Sequence, residues 1–137
     1  MELTRDLAAR VVWADFVACA QLLFEAVGLP FHAVASKKLN ATHEGETSRT
    51  ITVRRWTDGE RTVEWVTDAW EEPRTDPTQL TDDFRPIHER VVVSGLGAGT
   101  AVTAAGSGYE PVQGYVVTGP EESARAVDEA LSRLLAT

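Results

Sequence analysis

Ten carboxylates fall within residues 58–89: Asp58, Glu60, Glu64, Asp68, Glu71, Glu72, Asp76, Asp82, Asp83 and Glu89. Only Arg61, Arg74 and Arg85 oppose them, so this stretch carries a balance of −7 out of a net −8. Trp65 and Trp70 lie inside it and Trp56 just before it. Acids that steer a cation, next to large aromatics that supply contact area, suit docking of a basic protein. The residues expected to make that surface are Trp56, Glu64, Asp68, Trp70, Glu71, Glu72, Asp76, Asp82 and Asp83. The plainer alternative is a solvated acidic surface that serves solubility alone. Against it stands the localisation of the charge.

Other residue types offer less chemistry. Gly95-Leu96-Gly97-Ala98-Gly99 follows three valines, but the sixth position of a dinucleotide fingerprint is Thr100, where Gly or Ala is required. No long helix is expected after it to present amides to a phosphate. A glycine-rich turn is the better reading. His32, His43 and His88 lack metal-ligand spacing. His88 and Glu89 are adjacent, and neighbours on a strand point to opposite faces. Cys19 sits among Val17, Ala18, Ala20 and Leu22, with no base nearby in sequence to activate it. No serine stands in a nucleophile elbow. No catalytic residue, metal ligand or cofactor is assigned.

A chain of 137 residues is one domain by size, here residues 1–137. Its charge disfavours direct binding to nucleic acid or to an anionic membrane. The apolar run Val11–Val27 contains Asp15 and Glu25 and follows a charge-neutral start, which argues against a signal or membrane segment. The single cysteine forms no internal disulfide, consistent with a reducing compartment. A cytoplasmic protein is expected. High Ala, Arg, Asp and Val usage suggests a GC-rich bacterial genome.

The elements that would position these groups begin with a helix over Arg5–Val27, with Thr4 as N-cap and Gly28 as its left-handed end. It is apolar round most of its circumference, which implies burial on more than one side. A strand is expected from Phe31, then a loop at 40–48. The strands 51–56 and 61–70 form a hairpin about Thr57-Asp58-Gly59. That loop would pair Val53 with Val63, Ile51 with Trp65 and Thr52 with Glu64. A proline-rich loop follows, with a helical turn at Gln79–Phe84. Ile87–Val93 and Val112–Val117 are strands, and a helix runs from Pro120 to Leu135. The fold class is α+β: an antiparallel twisted sheet of about five strands, with an N-terminal and a C-terminal helix packed on one face.

This order, with LLFEAVGLPF and the closing helix, resembles small acidic secretion chaperones of the type III group. That resemblance implies a dimer and a mid-chain helix near 79–90, where this chain has Pro86. The layout with acidic loops is also similar to immunity proteins of bacterial toxin systems. The leading reading is a non-enzymatic module that docks a basic protein, such as a toxin or secreted effector; a second copy of the chain is a further candidate partner. An inhibitor that mimics nucleic acid would use the same acidic surface. The alternative is a small-molecule-binding cavity protein, or a small cyclase or isomerase on a curved sheet. Its candidate groups are Trp13, His32, His88, Tyr109 and Tyr115. The docking reading predicts that changing Glu71, Glu72, Asp76, Asp82 and Asp83 together to Lys abolishes capture of a basic partner in a pull-down and leaves the circular dichroism spectrum intact.

Overall fold

The computed structural model describes residues 1–32, 34–43, 48–72, 83–106 and 110–136, with side chains at 34–43, 48–50, 69–72 and 83–88 outside the description. The elements are β1 (Glu2–Val11), α1 (Trp13–Ala26), β2 (Val34–His43), β3 (Ser48–Thr57), β4 (Thr62–Glu72), β5 (Asp83–Ser94), β6 (Ala101–Gly106), β7 (Val112–Thr118) and α2 (Glu121–Ala136). They build one seven-stranded sheet in the order β1-β7-β6-β5-β4-β3-β2, antiparallel at every step. The α+β class is therefore present, with both helices over one face. The strand count is seven rather than about five.

The first added strand is β1, which replaces the first turns of the expected helix. Leu3, Leu7 and Val11 recur every four residues, and four is both one helical turn and two strand pleats. Pairing decides between them: Leu3 lies opposite Val117 and Arg5 opposite Tyr115. The helix starts at Trp13 after Val12, and no side chain caps it, so Thr4 is no N-cap. Its far end is as expected. Gly28 adopts φ +78°, its N–H donates to the Glu25 carbonyl at 3.0 Å, and Leu29 N–H donates to Phe24 at 2.8 Å. This pair of bonds is the glycine-dependent helix stop.

The second added strand is β6, whose run AVTAAG looks too weakly apolar for a strand. Only Val102 and Ala104 in it are buried. The expected loop at 40–48 is also partly strand, since β2 extends to His43 and β3 begins at Ser48. Of the expected helical turn, Asp83 and Phe84 belong to β5, and 79–82 lie outside the described residues.

The β3–β4 hairpin turns through four residues, not three. The Asp58 carboxylate accepts hydrogen bonds from the amides of Glu60 and Arg61, at 3.1 and 2.8 Å. Thr57 Oγ1 accepts from Gly59 N–H at 3.0 Å. The pairing is then Trp56 with Val63, Arg54 with Trp65, Val53 with Val66 and Ile51 with Asp68. Compared with the expected pairing, β3 is slipped by three residues. An odd slip exchanges the faces of one strand relative to the other. Trp65 therefore shares a face with Trp56 and Arg54 rather than with Ile51.

The core lies between the sheet and the helices. α1 contributes Phe16, Ala20, Leu23 and Phe24, α2 contributes Ala124, Val127 and Leu131, and the sheet contributes Val63, Val91, Val93, Val102, Ala104 and Val117. One polar knot crosses it. Arg5 on β1 donates from Nη2 to Asp128 Oδ2 at 2.6 Å and from Nε to Oδ1 at 3.2 Å. The Tyr115 hydroxyl donates to Asp128 Oδ1 at 2.7 Å and lies 2.9 Å from Ser132 Oγ. Burial alone would raise the Asp128 pKa, but the hydrogen bonds and charge of Arg5, with the Tyr115 hydroxyl, hold it below its ordinary value. Burial, together with the Asp128 charge, pushes the Tyr115 phenol up to about 12.

Tyr115→Phe removes the neutral link of the knot: Asp128 Oδ1 loses one donor and the half-buried Ser132 hydroxyl loses its phenol partner. It is expected to cost about 1–2 kcal/mol in urea unfolding. A variant as stable as the parent would show that the hydroxyl contributes nothing.

Candidate functional site

Residues on the helix side of the sheet change character along β4 and β5. Val63 and Val91 are completely buried beneath the helices. Further along β4, Trp65 and Thr67 are half-buried, and Arg54 on β3 is exposed. The cover of the helices thus ends over β3 and β4. The chain leaving α1 is held nearby, where Phe31 stacks on Phe24 with ring centres 4.6 Å apart.

At this margin a carboxyl group is buried. Glu89 lies directly across from Thr67, with Trp65 the diagonal neighbour, within reach of a long side chain. Glu89 is only 8 % exposed. Thr67 Oγ1 donates to its Oε1 at 3.1 Å. The Trp65 indole Nε1 is buried and completes no hydrogen bond, although it faces the same carboxyl closely enough to favour the charged form. The Arg54 guanidinium stands over the Trp65 ring at 5.0 Å. Desolvation raises the Glu89 pKa, and Thr67, Trp65 and the Arg54 charge offset that only in part. A carboxyl group with a raised pKa, beside an indole donor and aromatic faces, can exchange hydrogen bonds or a proton with a ligand.

The residues expected to form a docking surface are distributed differently. Trp56 is half-buried against the core. Glu64 accepts from Arg55 at 2.6 and 2.9 Å. Asp68 is 6 % exposed and so is not a surface acid. Trp70, Glu71, Glu72 and Asp83 are brought together by backbone register: Glu72 lies opposite Asp83, and Trp70 opposite Arg85 and Arg49. Asp76 and Asp82 lie outside the described residues.

Of the groups named for a cavity, Trp13 comes close to Glu89, since its ring packs on Gly106, which lies directly across from Glu89 on β6. Trp13 is buried and donates to the Glu110 carbonyl at 3.1 Å. Tyr115 belongs to the knot with Asp128. His32 is exposed beside Gln21, Glu25 and Phe31. His88 is opposite Asp68 in register, and Tyr109 lies outside the described residues. Among the described residues no three His, Cys, Asp or Glu side chains are grouped to hold a metal. No helix there is long and apolar enough to cross a membrane.

Sequence reasoning counted Glu89 as one acid of ten and set it aside as an acid–base partner of His88. The signal for its burial was available: in the run HERVVV it alternates with Val91 and Val93, both fully buried. Comparison with known proteins finds no match to any family model, curated protein or solved structure.

Glu89→Gln tests whether the carboxyl is held against its own stability. The folded state resists ionisation more than the unfolded chain does, so the wild-type acid becomes a penalty as pH rises above the ordinary glutamate value of about 4.3. The variant is expected to unfold at higher urea concentration than wild type at neutral pH, with the gain vanishing in acid. Equal midpoints at neutral pH would place Glu89 in an ordinary environment.

Proposed function

We propose that the chain binds a small molecule on the helix side of β3, β4 and β5, where the helix cover ends. The observation that supports this reading most is Glu89: a buried acid held by one threonine hydroxyl, next to an indole N–H that faces it without completing a hydrogen bond. A structural role for Glu89 would call for full pairing, because a buried polar group left short costs stability. Trp65 and Trp56 supply apolar contact; Glu89 and the Trp65 N–H supply polar selection. The ligand class that fits is a neutral aromatic or alicyclic molecule with a hydroxyl or carbonyl oxygen. If the protein acts as an enzyme, Glu89 is the proton donor or acceptor, as a cyclase or isomerase would require.

A second reading retains the protein partner. Register at the end of β4 and the start of β5 brings Glu71, Glu72 and Asp83 next to one another, flanking the segment with Asp76 and Asp82. A basic protein, of the kind held by immunity proteins or secretion chaperones, would meet this tip. In either case we infer a cytoplasmic bacterial protein, on composition and its lone cysteine.

The small-molecule reading is tested by titrating 2-naphthol and a panel of neutral aromatic ketones into labelled protein. The Trp65 indole resonance is followed by nuclear magnetic resonance. At least one compound is expected to shift that resonance, with binding weakened about tenfold in Glu89→Gln. No shift at Trp65 with any compound removes the reading.

A further inference from the structure

Among the described residues no helix covers the opposite face of the sheet. Register sets out its side chains in rows. One row runs Asp6, Gly114, Ala105, Arg90 across β1, β7, β6 and β5, and the next runs Thr4, Val116, Thr103, Val92. Thr4, Asp6, Thr103, Ala105, Gly114 and Val116 line one open depression. The middle of this surface is made of small residues, and Gly114 must stay small, since a Cβ there would stand 2.5 Å from the Arg5 carbonyl oxygen. Its two margins carry opposite charges. Asp6 and Arg90 are both exposed, and neither has a hydrogen-bond or ion-pair partner among the described residues.

These charges are arranged symmetrically. Asp6 and Arg90 lie three strand spacings apart, about 14 Å, with the midpoint between β7 and β6. A two-fold axis along the strands through that midpoint maps β1 onto β5 of a second copy and β7 onto β6. Asp6 of each copy then falls against Arg90 of the other, Gly114 against Ala105, and Val116 against Thr103. Self-complementarity under a two-fold is the requirement for an isologous interface. A basic or acidic partner of another kind would be repelled at one margin.

We propose that the open face of β1, β7, β6 and β5 pairs two copies of this chain face to face, with reciprocal Asp6–Arg90 ion pairs at its margins. Small central residues let the sheets approach to the ordinary spacing of about 10 Å. A patch four strands wide is at the small end of protein interfaces, so dissociation in the micromolar range is expected. The site at Glu89 lies on the other face and stays open in such a dimer.

The experiment is sedimentation equilibrium of the full chain up to about 200 µM, a range suited to a weak interface. It compares wild type, Asp6→Arg, Arg90→Asp and the double exchange, each checked for folding by circular dichroism. Wild type is expected to dimerise. Each single exchange puts like charges together at both ends of the interface and is expected to weaken association by about tenfold or more, and the double exchange to restore it. A monomeric wild type overturns the proposal. So does a dimer indifferent to either single exchange, or a double exchange that fails to recover.

Discussion

The pairing of the first strand with the last sets the rest of the structure. Because β1 lies against β7 at one edge and β2 closes the other edge, the chain between them must cross the whole sheet. Six strand spacings amount to about 29 Å. A helix of 14 residues spans about 21 Å. α1 and the short segment after it share the crossing, and the helix-side surface of β3 and β4 is left partly uncovered. The candidate site is at that margin. The Arg5–Asp128–Tyr115 knot reinforces the arrangement by tying β1 and β7 to the closing helix.

Two buried carboxyls illustrate how environment separates residues of one kind. Asp128 is held by a bidentate guanidinium and a phenol, and its pKa is lowered. Its contribution to stability is present above the ordinary carboxylate range and is lost as pH falls through the lower folded value. Glu89 receives a threonine hydroxyl but no hydrogen-bonded cation, and its pKa is raised. It favours the fold at low pH and opposes it once ionised. The first acid is part of the framework. The second is tolerated by it, which is the pattern expected of a group kept for binding or catalysis.

The acidic stretch that dominates the sequence divides among several tasks once folded. Asp58 shapes a turn, Glu64 pairs with Arg55, and Asp68 and Glu89 are buried, Glu89 at the candidate site. Linear clustering of charge did not anticipate this. On a strand, adjacent residues face opposite sides of the sheet, and a hairpin can carry successive acids into different environments.

What the sequence determined by itself was local. The closing helix, with its Glu121–Arg125 and Glu129–Arg133 pairs at 3.0 and 3.5 Å, was legible because its interactions lie within four residues. The stop at Gly28 was legible for the same reason. The existence of the β3–β4 hairpin and the α+β class also followed from pattern. Tertiary structure decided the rest. Residues 2–11 are strand only because β7 lies beside them, since a spacing of four fits either structure. The hairpin register turned on side-chain bonds of Asp58 and Thr57 inside the turn. Glu89 is distinguished from nine other acids by the faces of three neighbouring strands and the length of a helix, none of which acts between residues close in sequence.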